Sequence, residues 1–136
     1  MRHGGNVWEG QPADWLDFSA NLRPEGTPAW VMDTMRAALS QACYYPDRTM
    51  RAARAGLALY LGVDENCVLP TAGGAAAIDL TLGVRRGAVH VQPPTFGEYA
   101  ERAKAHGRRV AANQAIQADD TVVVCNPNNP TGTLLS

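Results

Sequence analysis

The spacing of apolar positions changes along the chain, and this change predicts the order of its elements. Between residues 27 and 62, apolar side chains recur every three or four positions, which is typical of amphipathic helices. We expect Thr27 to cap the first helix with Pro28 at its first position, and Asp47 and Gly62 to bound the second. The predicted apolar faces are Val31, Met35, Leu39 and Ala42, then Met50, Ala53, Leu57 and Leu61.

From residue 68 onward, short apolar runs alternate with helical segments. The candidate strands cover residues 68–70, 88–91, 109–112 and 121–125, and the last is β-branched and uncharged, as in a strand covered on both faces. The candidate helices cover residues 74–82 and 96–106, with Thr95 as a cap for the second. This alternation predicts an α/β fold with a mostly parallel sheet and crossover helices, preceded by an irregular N-terminal arm. We place the boundary between the arm with its first helix and the sheet domain at residues 46 and 47.

Three loops follow the predicted strands, beginning at Thr71, Gln92 and Asn126. Ligand sites in parallel sheets lie at the carboxyl ends of the strands, so these loops are candidates for binding. Each also has a structural interpretation. The small residues 71–75 suit either a phosphate at a helix N-terminus or a tight turn. Phe96 could stack on a flat ring or pack in the core, and the Asn- and Pro-rich residues 126–132 could hold a polar atom or simply turn the chain.

Composition narrows the function classes. The net charge of −1 gives no field that would recruit nucleic acid or an acidic membrane. The N-terminus lacks a secretory apolar segment, and the longest charge-poor stretch, residues 68–84, is too short to span a bilayer. The cysteines Cys43, Cys67 and Cys125 are far apart, which predicts reduced thiols in a cytoplasmic protein. The histidines are scattered, so we expect no metal site.

Three segments together resemble the fold-type I pyridoxal-phosphate (PLP) dependent aminotransferase family. Asn129-Pro130-Thr131-Gly132 after an apolar strand is similar to the family signature, residues 92–99 are similar to its proline-aromatic segment, and residues 73–80 to its phosphate-binding segment. The three occur in the family's order, and the resemblance as a whole covers essentially the whole chain. The resemblance implies an aspartate-aminotransferase-like large domain, of which residues 47–136 would be the N-terminal, incomplete portion, and PLP as the cofactor.

Two branches of the family are similar to this sequence: threonine-phosphate decarboxylases, which make aminopropanol phosphate for cobalamin biosynthesis, and histidinol-phosphate aminotransferases. The opening His3-Gly4-Gly5-Asn6, the segment ending in Asn21, and Tyr45-Pro46-Asp47 favour the decarboxylases. A phosphorylated amino acid is then the expected substrate. A non-catalytic remnant or binding module is the alternative from another class.

The resemblance also implies roles for individual residues. The N–H groups of Gly74 and Ala75 would hold the cofactor phosphate, Phe96 would stack on its ring, and Asn129 would bond the ring hydroxyl oxygen. Tyr45 would reach the cofactor phosphate of a neighbouring subunit, which implies a homodimer. His3, Gly4 and Asn21 would bind the substrate. Many relatives have an acidic residue where this chain has Ala75-Ala76, so only backbone donors remain there.

The family's Schiff-base lysine has no counterpart in this sequence. The single lysine, Lys104, lies in a polar helical segment that matches nothing around the family's lysine. We therefore expect no catalytic residue in this chain and no activity from the chain alone.

Overall fold

The computed structural model describes residues 4–8, 10–11 and 14–136. In this part of the chain the helices are α1 (Ala29–Ala38), α2 (Arg51–Leu61), α3 (Gly74–Gly83) and α4 (Glu98–Ala105). The strands are β1 (Val89–His90), β2 (Val110–Ala111) and β3 (Thr121–Val122). Short 3-10 helices span Leu39–Gln41 and Glu65–Cys67.

The three strands form one parallel sheet in the order β2-β1-β3. Val89 pairs with Val110 on one side and with Thr121 on the other. The ladder is closed by N–H···O bonds of 2.8–3.0 Å, among them Val89 to Arg109 and Val123 to His90. Because β1 connects to β2 through α4, the predicted α/β fold with a parallel sheet and crossover helices is confirmed.

The core lies between the sheet and the helices α3 and α4. Leu82, Val89, Val91 and Ala103 form a buried cluster, and Leu82 and Val89 are almost wholly shielded from solvent. Ile78, Tyr99, Val110 and Val123 pack against this cluster. Burying this apolar area favours folding and fixes α3 and α4 on the sheet.

Buried polar groups tie the amino ends of the strands together. The Arg108 guanidinium donates to the carbonyl oxygens of Leu82, Gly87 and Ala88 and to the hydroxyl of Thr121, at 2.7–3.1 Å. Such a cation is tolerated in the interior because every donor direction toward the protein meets an acceptor.

Asp120 closes the same end of the sheet. Its carboxylate accepts N–H bonds from Ala88 (2.7 Å) and Gln117 (2.9 Å) and lies 2.9 Å from Nε2 of His90. The Gln117 N–H, then His90 and the Ala88 N–H, hold the pKa of Asp120 down at about 2 against the opposing effect of burial.

The chain divides into two compact units, Met1–Arg51 and Ala52–Ser136. In the described part of the first unit, the Ser19 hydroxyl accepts the N–H of Gly5 (2.8 Å), and Asp17 accepts the N–H of Ser19 (2.7 Å). A Cβ on Gly4 would collide with the carbonyl oxygen of Ser19. The N-terminal arm is therefore folded back on residues 17–19 by local hydrogen bonds.

The predicted helix boundaries are confirmed for α3 and for the end of α2, but not for α1, α4 or the start of α2, which begins at Arg51, four residues after the predicted cap Asp47. Asp47 accepts the N–H groups of Thr49 and Arg51 at the start of α2, and Gly62 ends that helix with φ +67°. The predicted cap Thr27 is wrong: Pro28 occupies the cap position of α1, with no side-chain hydrogen bond. Thr95 does not cap α4 either, because Gly97 occupies that position.

The predicted apolar faces of α1 and α2 are not buried. In α1, Met35 remains 59% exposed, and in α2 Ala58 is buried instead of Leu57 or Leu61. Periodicity shows which side chains share a face of a helix, but burial requires another element against that face. Within each unit, the described residues supply no such element.

Two strand predictions also need correction. Residues 68–70 form no strand, since they pair with neither edge of the described sheet. The strand at 121–125 was expected to be covered on both faces, but Val122 and Val124 are 51% and 60% exposed. One face of β3 has no covering element in the described part of the chain.

Candidate functional site

The first candidate loop leads directly into α3. Gly73 has φ +84° and ψ 172°, a conformation that L side chains rarely adopt, and α3 begins at the next residue. The N–H groups of Gly74 and Ala75 lie in the first helical turn, where no intrahelical acceptor exists. A Cβ at Gly73 or Gly74 would meet nothing within 4 Å, so no other described segment packs against these glycines on that side. The helix macrodipole adds a favourable potential there.

The second and third loops leave the carboxyl ends of β1 and β3, which are neighbours in the sheet. Both contain cis X-Pro peptide bonds, at Pro93-Pro94, Asn126-Pro127 and Asn129-Pro130. Since parallel neighbours end at the same edge, these two loops lie side by side, as the sequence predicted.

One side chain, that of Asn128, joins the two loops. Its Nδ2 donates to the carbonyl oxygen of Pro94 (2.9 Å) and to Oγ1 of Thr131 (2.8 Å). Its Oδ1 accepts the hydroxyl of Thr95 (2.8 Å), which is why Thr95 is not available to cap α4. The Asn128 backbone bonds Gly132 and Thr133, so the residue is fixed from all sides.

Asn129, the next residue, is arranged differently. Its backbone N–H donates to Sγ of Cys125 (3.4 Å), and its side chain makes no hydrogen bond in the described part of the chain. The amide of Asn129 thus remains available to a ligand, whereas the amide of Asn128 is used by the protein.

Phe96 lies half-buried at the end of the second loop, beside Tyr99. The two rings meet edge to face, with centroids 5.6 Å apart and planes at 86°. The Tyr99 hydroxyl bonds the Cys125 sulfur, and together with burial this raises the pKa of Tyr99 to about 12. The same bond, followed by the Asn129 N–H, lowers the pKa of the Cys125 thiol. A chain of contacts therefore connects Phe96 to Asn129 through Tyr99 and Cys125.

A cavity of about 280 Å³ opens between the two loops. The predicted cofactor residues Phe96 and Asn129 do not line it. Its walls are formed by Gln92, Pro93, Pro94, Thr95, Val123, Val124, Cys125, Asn128, Thr131, Thr133 and Leu135.

Sequence reasoning missed Asn128 and Cys125. Residues 126–132 contain three asparagines, and nothing in their order distinguishes an amide that binds the protein from one left for a ligand. The distinction arises from a partner in another loop, 34 positions away.

The remaining predicted residues belong to the first unit. Tyr45 is fully exposed and Asn21 is exposed. Gly4 has a packing reason to be glycine, given the nearby Ser19 carbonyl. His3 lies outside the described residues. Their binding roles stay predictions.

The described residues form neither a metal cluster nor a membrane-spanning helix. No group of three or more His, Cys, Asp or Glu side chains there could hold a metal ion. None of the helices described is long and apolar enough to cross a membrane.

The sequence has relatives of known function. It is 35% identical to a threonine-phosphate decarboxylase from Sinorhizobium sp over 98% of this chain and 43% of the relative. It is 32% identical to the threonine-phosphate decarboxylase of Pseudomonas aeruginosa over 97% and 41% of the two chains. A histidinol-phosphate aminotransferase of Desulfitobacterium hafniense is 28% identical over 89% and 40%. No family model matches the chain.

The fold is shared with solved structures. The L-threonine-O-3-phosphate decarboxylase of Porphyromonas gingivalis superimposes with a TM-score of 0.72 at 26% identity, over 87% of this chain and 39% of that one. The histidinol-phosphate aminotransferase of Clostridium acetobutylicum gives 0.76 at 24% identity, over 90% and 40%. In sequence and in fold, the chain is similar to fold-type I aminotransferases. It spans about 40% of the length of the family members it matches, and these members depend on PLP.

The residues present fit part of PLP in this family fold. The start of α3 offers backbone N–H donors suited to a phosphate, and no other described segment packs against the Cβ side of the glycines there. Asn129 offers an unused amide, and Phe96 an aromatic ring on the adjacent loop. The one lysine, Lys104, is exposed near the end of α4, roughly 10 Å along the helix from Gly97.

Proposed function

We propose that this chain is part of a PLP-dependent threonine-phosphate decarboxylase-like enzyme, which converts L-threonine O-3-phosphate to aminopropanol phosphate in cobalamin biosynthesis. The observation that carries the proposal is the contrast between the two neighbouring asparagines. Asn128 is saturated by protein groups, and Asn129 presents its amide beside Phe96's loop. The similarity to decarboxylases over almost the whole chain favours this branch.

The proposal assigns each cofactor-binding residue the role that the family resemblance implies. Gly74 and Ala75 would bind the phosphate through their N–H groups, Phe96 would stack on the ring, and Asn129 would donate to the ring hydroxyl oxygen. When bound, PLP supplies an electron sink for the electron pair left as the substrate loses carbon dioxide. The residues of this chain would hold and orient PLP.

We further propose that the enzyme is a homodimer in the cytoplasm. Tyr45 would reach the cofactor phosphate of the neighbouring subunit, and its full exposure leaves the hydroxyl accessible. His3, Gly4 and Asn21 would contact the phosphorylated substrate.

Catalysis would require a lysine from outside this sequence. Lys104 lies near the end of α4, which runs away from the second loop, and the sequence contains no other lysine. We therefore expect the chain alone to bind the cofactor's phosphate weakly and to release no carbon dioxide from threonine phosphate.

Binding is best tested with pyridoxine 5′-phosphate, because it lacks the aldehyde and cannot react with Lys104. We expect calorimetry to show tighter binding of this probe than of pyridoxine. Gly74→Pro removes one N–H donor at the first helical position, where proline is well tolerated. Gly73 with ψ 172° is compatible with a following proline. Gly74→Ala keeps the donor and its Cβ meets no atom within 4 Å.

We expect Gly74→Pro to bind pyridoxine 5′-phosphate about tenfold more weakly than Gly74→Ala, which is roughly the effect of one charge-assisted hydrogen bond. Pyridoxine should bind the two variants equally. Equal phosphate affinities would show that the Gly74 amide is not a donor. Equal affinity of the unaltered chain for both probes would remove the phosphate site altogether and leave a remnant or an unrelated binding module.

A histidinol-phosphate-type aminotransferase is the second candidate, supported by the Desulfitobacterium hafniense relative. Product analysis on the whole enzyme separates the two. Aminopropanol phosphate from threonine phosphate supports the decarboxylase, and a requirement for an oxo-acid acceptor supports the aminotransferase.

A further inference from the structure

In the described part of the chain, few hydrogen bonds hold the two loops at the carboxyl edge of the sheet at a fixed distance from each other. Beyond their paired residues, β1 and β3 lead into the loops at residues 92–97 and 126–132. A cavity lies between these two loops. The hydrogen bonds of the Asn128 side chain cross this gap directly.

The geometry points to Asn128 as a positioning residue for the cofactor site: its amide sets the distance between the loop of Phe96 and the loop of Asn129. The ligand named in this inference rests on the proposed function. The coupling of the two loops through Asn128 does not depend on that function.

The chemistry of the three partners allows one orientation of the amide. The Pro94 carbonyl can only accept, so it must face the NH₂ group of Asn128. The oxygen is then turned to Thr95, whose hydroxyl donates. The second N–H goes to Thr131 in its own loop. Both donors and the oxygen are thus in use.

This arrangement makes Asn128→Asp a sharp probe. The carboxylate keeps the bond from Thr95 and can accept from Thr131, but it places a negative oxygen against the Pro94 carbonyl at the former 2.9 Å contact. At neutral pH the variant should open that contact. A protonated carboxyl can donate, so acid should restore the bond to Pro94.

The direction of the pH effect follows from that difference. The carbonyl disfavours the charged carboxylate and so raises the carboxyl pKa in the folded state. The stabilising bond is then present below the carboxyl's ordinary pKa and is lost as the pH rises through the raised value.

Asn126→Asp is the matched control, with the same charge change in the same loop. Oδ1 of Asn126 accepts the N–H of Leu135 at 3.0 Å, a bond that a carboxylate retains. Only a long 3.5 Å contact from Nδ2 to the Leu135 carbonyl is lost. Neither contact crosses to the loop of Phe96.

The experiment measures amide hydrogen exchange at residues 95–97 and calorimetric affinity for pyridoxine 5′-phosphate, for both variants at pH 8 and pH 5. At pH 8 we expect residues 95–97 of Asn128→Asp to exchange about tenfold faster than those of Asn126→Asp, and the probe to bind about tenfold more weakly. At pH 5 the differences between the two variants in exchange rate and in affinity should both become smaller. The titration of the probe and the intrinsic exchange rate both change with pH. They affect the two variants equally, because the variants are compared at the same pH.

The two measurements separate the two proposals. If the unaltered chain does not bind the probe, the proposed function fails and the exchange data alone decide the inference. Equal exchange in the two variants at pH 8 would overturn the role of Asn128, whatever the affinity. Faster exchange that persists at pH 5 would also overturn it, because a general loss of packing would not be reversed by protonating one carboxyl.

Discussion

Two regions of the chain differ in how far they bury apolar side chains. The sheet with α3 and α4 encloses a core, whereas α1 in the first unit and α2 in the second leave their predicted apolar faces exposed. In residues 52–136, α3 and α4 cover the sheet and enclose Leu82 and Val89. In the first unit, α1 has no buried residue, and Leu39 in the turn that follows it is 71% exposed. The difference shows that the spacing of apolar residues determines which side chains share one face of a helix. That face stabilises the fold only where another element packs against it.

The largest expected contrast comes from truncating one leucine in each region. Leu82→Ala would leave a cavity in the packed cluster and should lower the free energy of unfolding by about 2–5 kcal/mol. Leu39→Ala removes a side chain that solvent already reaches, and should change it by less than about 0.5 kcal/mol. Urea unfolding of the sheet, followed by amide exchange at Val89 and Val91, measures the first effect.

Tryptophan fluorescence measures the second effect, because Trp8, Trp15 and Trp30 all lie in the first unit. A large loss in Leu39→Ala would mean that the apolar face of α1 is covered in solution, and the comparison of the two units would then fail.

A smaller contrast is expected between two adjacent arginines. Arg108→Met leaves the carbonyl oxygens of Leu82 and Gly87 without the guanidinium donor, whereas Ala88 keeps the N–H of Thr121, and the change should cost about 1–3 kcal/mol of stability. Arg109→Met loses only an exposed bond to Gln114 and should be nearly neutral. Denaturant midpoints of the two variants, taken at equal m-values, provide the measurement. Equal losses would show that Arg108 contributes through its apolar stem alone.

Much of the second unit could be predicted from sequence because its signals are local. The start of α3, the pairing segments of β1 and β3, and the end of α2 at Gly62 each depend on a few consecutive residues. The parallel order of the sheet then placed the loops of Phe96 and Asn129 at one edge.

The rest could not be predicted because it depends on contacts between distant segments. Thr95 was a reasonable helix cap by sequence, but its hydroxyl binds Asn128 instead, 33 positions away. The strand at residue 121 looked covered on both faces because β-branched residues favour strands whether or not a second layer is present. The difference between Asn128 and Asn129 has no signal in the sequence.

The smallest expected effect concerns two carboxylates, one in each unit, whose pKa values are both lowered by hydrogen bonds. The side chain of Asp120 is 5% exposed, and backbone N–H groups and His90 hold its pKa at about 2. Asp47 is 39% exposed, and Arg51 and Thr49 lower its pKa. Since both folded pKa values lie below the ordinary value of 3.8, each contribution is present above that pH and is lost as the pH falls.

Solvent and salt should weaken the contribution of Asp47 but not that of Asp120. We therefore expect the stability advantage of the unaltered chain over Asp120→Asn to be full above pH 4, to shrink as the pH falls through about 2, and to persist in 0.5 M salt. The advantage over Asp47→Asn should be reduced by the same salt at pH 7. Thermal unfolding across pH and salt measures both. If salt reduced the Asp120 advantage, water would reach the contact between Asp120 and His90. The two units would then differ in how they bury apolar side chains, but less in how they shield their carboxylates.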